Sequence, residues 1–195
     1  MYRIKASIQG IAPMCFNRPG EALQGSLETG RTGGRRTREE AIAEAEARVY
    51  KNGQGLYIPA TWVKKSMLNG CTLANLKQGR RGFYPYLAGG VFIVEREIPL
   101  GKETFDFMHE RWGRIPPGPK GAAAWLRNPG VKEGWEASFT LMVADNTLGQ
   151  DSIKAALEQA GMLVGLGNGR PDFGRFIVTG WEVNSSPSPV QLNEV

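Results

Sequence analysis

The chain has 195 residues, 24 Lys and Arg against 19 Asp and Glu, and a formal net charge of +5. That length suits one domain with insertions, and a hydrophobic content of 41% excludes a disordered chain. The modest basic excess is compatible with a polyanionic partner, and the decisive point is where the charge sits.

In chain order, residues 2–10 alternate. Ile4, Ala6 and Ile8 face one way and Arg3, Lys5, Ser7 and Gln9 the other, which predicts a half-buried strand with a basic face. Residues 13–36 read as an inserted loop bounded at its start by Pro13 and Pro19, and rich in Gly, Thr, Ser and Arg from residue 24. Thr37 and Glu40 have capping-box spacing, which predicts a helix to Val49. Leu56-Tyr57-Ile58-Pro59 is extended, because a residue before proline avoids the helical region. A helix over Thr61–Asn69 follows, with Gly70 as its stop.

Val91–Ile98 predicts one strand, and 101–133 an irregular insertion rich in Pro and Gly. Trp135, Ala137, Phe139, Leu141 and Val143 alternate with polar residues, the clearest strand pattern in the chain. Asp151 or Ser152 caps a helix whose apolar residues recur at three- and four-residue steps to Val164. Phe176–Val183 is the last strand, and 184–195 a frayed tail. Without insertions the order is strand, helix, strand, strand, helix, strand. That order predicts an α+β, ferredoxin-like (RRM-like) βαββαβ antiparallel sheet with loop insertions, within one domain over 1–183.

Four features carry candidate chemistry. The run Gly165-Leu166-Gly167-Asn168-Gly169-Arg170-Pro171-Asp172-Phe173-Gly174-Arg175-Phe176 joins the last helix to the last strand. Glycine there lets backbone N–H groups approach an anion, and Arg170 and Arg175 add donors suited to phosphate. Gly167 and Gly169 are the expected points of approach, and the competing reading is a plain connection. Arg31, Arg35, Arg36 and Arg38 form a basic arm, weighed against a solvated charge run. Arg80 and Arg81 precede Phe83, Tyr84 and Tyr86, a mixture single-strand binders use, although burial of the rings competes. His109 is the only histidine. As a general base it could cleave RNA through the 2′-hydroxyl, against a simple seating role in the insertion.

Metal and cofactor chemistry is not expected. Asp106, Asp145, Asp151 and Asp172 are scattered, and the glycine run lacks a Walker ending. Cys15 and Cys71 are too few for a disulfide framework or a zinc cluster and fit a reducing cytoplasm. The N-terminus lacks a signal-peptide core, and no stretch is apolar for long enough to cross a membrane.

Two stretches resemble the repeat-associated mysterious protein superfamily, whose ferredoxin-like members build CRISPR effector complexes and process guide RNA. One is Leu56 to Leu68, similar to the tyrosine-isoleucine-proline segment with its basic helix in the backbone subunits. The other is Gly165 to Phe176, similar to the glycine-rich loop before the final strand. Short proteins encoded on phages and prophages are also similar. The resemblance implies binding of single-stranded nucleic acid without sequence readout. It puts Lys64, Lys65, Arg170 and Arg175 near phosphates and makes residues 102–132 a projecting thumb. The chain is short for such a subunit and lacks a large helical insertion.

The expectation is a cytoplasmic, sequence-independent single-stranded RNA- or DNA-binding protein, without a cofactor and not an enzyme. Its partners are nucleic acid and further copies, or the other subunits of a ribonucleoprotein. The alternatives are a metal-independent endoribonuclease using His109 and a phage structural or assembly protein.

Overall fold

A computed structural model of the chain describes residues 1–18, 39, 42–43, 46–114 and 123–184. Its elements begin with β1 (Tyr2–Gly10), β2 (Met14–Cys15), β3 (Lys51–Asn52), β4 (Gly55–Pro59) and α1 (Ala60–Leu73). Next come β5 (Lys77–Gln78), β6 (Arg81–Gly82), α2 (Tyr84–Gly90), β7 (Val91–Ile93) and β8 (Glu97–Pro99). Then follow β9 (Phe107–Arg114), β10 (Ala123–Val131), β11 (Glu136–Val143) and α3 (Gln150–Gln159). A π-helical turn (Ala160–Val164) and β12 (Phe176–Asn184) complete the order.

The main sheet runs β12-β1-β11-β7 and is antiparallel throughout. The alternation in β1 and β11 works as expected, with Ile4, Ala6 and Ile8 buried beside Ala137, Phe139 and Leu141. The buried stripes of α1 (Val63, Met67, Cys71) and α3 (Ile153, Ala156, Leu157) join these strand residues in one hydrophobic cluster. Arg3, Lys5, Ser7 and Gln9 point to the opposite face, where Ser7 Oγ meets Ser138 Oγ at 2.9 Å. The sheet is therefore half-buried, in keeping with the α+β class.

Four local expectations need correction. Gly70 does not stop α1, which continues to Leu73. A Cβ at Gly70 would lie 2.5 Å from the Ala160 nitrogen, so this glycine is the point where α1 crosses the π-helical turn. Val91–Ile98 is not one strand, since β7 belongs to the main sheet and β8 pairs with β4. Between them Glu95 Oε2 accepts the Thr140 N–H at 2.8 Å, a side chain standing where a strand carbonyl would, and the chain then departs.

The described residues of 101–133 are not irregular throughout. β9 and β10 form a hairpin in register from Phe107↔Gly130 to Arg114↔Ala123. Its base is clasped by Asp106, which accepts from the Lys102 ammonium at 2.9 Å and the Lys132 N–H at 2.9 Å. α3 starts at Gln150 with Gly149 at its N-cap position and no side-chain cap, so neither Asp151 nor Ser152 caps it. Asp151 sits in the first turn instead, where its charge complements the helix dipole. The helix expected from Thr37 lies partly outside the described residues, with Glu39, Ile42, Ala43 and Glu46 helical, and the tail beyond Asn184 lies outside them. Among the described residues no helix is long and apolar enough to cross a membrane.

Candidate nucleic-acid interface

The glycine loop is built into the fold at almost every step. Gly165, Gly167, Gly169 and Gly174 have φ of +77°, +79°, +80° and +76°, a region that favours glycine. The Leu166 N–H donates to the Gly174 carbonyl at 2.9 Å, the Gly174 N–H to Pro13 at 2.7 Å, and the Asn168 N–H to Cys15 at 2.8 Å. A Cβ at Gly174 would fall 1.8 Å from the Leu166 oxygen, and one at Gly167 would fall 2.4 Å from the Cys15 oxygen. These glycines are explained by protein contacts before any ligand is considered. Ser66, buried on α1, ties the loop to that helix by donating to the Gly165 carbonyl at 2.9 Å.

Held this way, the loop forms one wall of an open groove of about 720 Å³. Gly167, Asn168, Gly169, Arg170 and Pro171 line it on one side, and Asn69, Thr72 and Leu73 from the end of α1 on the other. Leu163 and Val164 lie along it as well. Lys65 is exposed one turn before Asn69, on the same stripe of α1. The groove thus carries apolar side chains, one amide from each side and the Arg170 cation, with exposed Lys65 one turn further along α1. The side chains of Asn69, Asn168 and Arg170 have no hydrogen-bond or ionic partner among the described residues. Such uncommitted donors fit an anionic ligand carrying hydrogen-bonding groups.

The other expected residues fall in three places. Lys64 points away from the groove, and its ammonium donates to the carbonyls of Leu87 and Val91 and lies 5.9 Å from the Phe92 ring centroid. Burial lowers its pKa to about 8. It locks α1 to α2 and β7 and is not presented to a phosphate. Arg80 and Arg81 are exposed on the β5–β6 hairpin, outside the groove lining. Phe83 beside them is fully buried, the outcome that competed with base stacking there. Arg175 is exposed, and its carbonyl receives the Ile11 N–H at 2.9 Å. Arg31, Arg35, Arg36 and Arg38 lie outside the described residues.

His109 stands on β9 opposite Asn128, with its ring 4.7 Å from Phe173 of the glycine loop. It has no acidic or basic partner among the described residues. It seats the hairpin against the loop. No cluster of three or more potential metal ligands occurs among the described residues. Sequence reasoning missed Asn69, Thr72 and Leu73. The polar spacing Lys65, Asn69, Thr72 along a helix was the available signal, obscured once the helix was ended at Gly70.

No family model and no curated protein matches the chain. Among solved structures, a chain of Type III-B Cmr-beta bound to cognate target RNA aligns with a TM-score of 0.53 and 12% identity. The alignment covers 93% of this chain and 60% of that one. The likeness is one of fold. The chain spans about 60% of the length of that neighbour. Cmr6 from Pyrococcus furiosus aligns with a TM-score of 0.49 and 11% identity, over 90% of this chain and 96% of that one. The phage resemblance receives no support from these comparisons.

Proposed function

We propose that the protein is a sequence-independent, single-stranded RNA-binding subunit of a CRISPR-type ribonucleoprotein. The observation that carries the reading is the groove between α1 and the glycine loop, lined by Arg170 and by two amides without partners among the described residues, with exposed Lys65 one turn further along α1. Three further points support it. The sheet order β12-β1-β11-β7, with a helix in each crossover, supports reading the α+β fold as a split βαβ, ferredoxin-like one. The structural neighbour was captured with RNA. The arginine arm at 31–38 and the exposed Arg80, Arg81 and Arg175 supply additional charge without any arrangement for reading base edges. His109 has no acidic or basic partner among the described residues, so the endoribonuclease alternative has less support than RNA binding.

Binding of a forty-nucleotide single-stranded RNA across a salt series tests this. With about five cations on phosphates, log K should fall with log salt at a slope near −3.5. A flat salt response would sink the proposal, as would affinity confined to one base sequence.

A further inference from the structure

Beside the groove lies an aromatic cluster. Trp62, at the start of α1, approaches within 3.4 Å of a Cβ built on Gly167 and so borders the groove wall. Phe16, fully buried, stacks beneath it at 6.2 Å and 29°. Tyr50 meets Trp62 edge-on at 5.2 Å, and Tyr57 meets Tyr50 at 5.7 Å. Tyr50, Tyr57 and Trp62 are all half-buried, so part of each ring is open to solvent. The Arg18 guanidinium lies over the Tyr50 ring at 6.0 Å, the outer limit of a cation–π contact and wider than a closed stack.

Two facts give this cluster a direction. Phe16 below and the edge contacts between the rings lock their positions, which lowers the entropic cost of stacking a further ring on them. The Arg18 N–H donates to the Arg48 carbonyl at 2.8 Å, which holds Arg18 beside the residues that lead into Tyr50. Rigid aromatic rings beside fixed cations are the elements that hold single strands, with bases on rings and phosphates on cations. Guanidinium planes and aromatic faces both accept an unpaired base.

We propose that Tyr50, backed by Trp62 and faced by Arg18, is a stacking site for one base of the single strand that runs through the adjacent groove. This rests on the RNA-binding reading above and adds to it the residues that hold a base. The contact is to a ring face and so tolerates any base.

The test compares wild-type binding of an oligoadenylate with that of an abasic ribose-phosphate strand of equal length and charge, at fixed salt. Wild-type protein should prefer the oligoadenylate by about tenfold or more. Tyr50→Leu should bring that preference close to one, Tyr50→Phe should preserve it, and Arg18→Gln should lower it several-fold. All three should leave binding of the abasic strand within about twofold, apart from the charge lost in Arg18→Gln. Equal wild-type affinity for the two strands overturns the stacking site, as does an unchanged preference in folded Tyr50→Leu. If Tyr50→Leu fails to fold, Arg18→Gln decides, because it removes no core contact. Salt-dependent binding without base preference would leave the RNA-binding reading intact and remove only the stacking site. Absence of binding to either strand would remove both.

Discussion

At the scale of single residues, the same residue type serves opposite ends depending on its neighbours. Lys64 and Lys65 are adjacent, yet one ammonium is buried against two carbonyls and the other is exposed. Because burial lowers the Lys64 pKa to about 8, the unfolded chain binds its proton more tightly than the folded one. Between about pH 8 and the ordinary lysine range the unfolded state holds more protons, so this residue makes stability rise with pH there. Wild-type stability relative to Lys64→Met should thus increase between pH 8 and pH 10 in urea unfolding. A difference that shrinks over that window would contradict the assignment. The loop glycines separate in a similar way. Gly174→Ala meets a backbone oxygen and should cost about 3 kcal/mol. Gly169→Ala meets only the Phe173 ring and should cost about 1–2 kcal/mol, for its left-handed backbone. Thermal melts of the two variants give the comparison.

At the scale of elements, α1 has three working faces. One is buried in the core, one crosses the π-helical turn through Gly70, and one carries Lys65, Asn69 and Thr72 along the groove. Gly70→Val forces Cβ into the Ala160 backbone, which cannot swing aside, and should destabilise the fold by about 2–3 kcal/mol in denaturant unfolding. The groove face should behave differently. Lys65→Ala combined with Arg170→Ala should leave the melting temperature within a few degrees. It should make the salt slope of RNA binding shallower by about 1.4, the equivalent of two phosphate contacts. An unchanged slope with weaker binding would mean that the two cations act through the fold and not on phosphate.

At the scale of the whole molecule, β1 and β11 form the structural centre. β1 is paired on both sides, and its apolar residues lie in the core. The β9–β10 hairpin belongs to a separate sheet in which β9 is an edge strand with exposed Arg111 and Trp112. Native-state hydrogen exchange should therefore find the slowest amides in β1 and β11 and faster ones along β9. Uniform protection across both would show that the hairpin unfolds only with the sheet.

The strands and helices of the main sheet were legible because each has one wet face and one dry face, and periodicity reports that directly. Ile4, Ala6 and Ile8, or Phe139 and Leu141, could be assigned without knowing what covers them. The glycine run was legible as a special segment, but its residues did not say whether protein or ligand fills the space a side chain would take. Only the folded chain brings the Cys15 and Leu166 oxygens against Gly167 and Gly174. The β9–β10 hairpin was hidden because the Pro- and Gly-rich stretch after Arg114 and the buried Pro129-Gly130 pair looked like breaks. The groove and the Tyr50–Trp62 cluster had no local signature. Their residues come from positions 16 to 171, and a surface assembled from distant segments exists only when packing closes the loops between them. Local periodicity determined which faces are buried, and tertiary contacts decided which exposed side chains share a site.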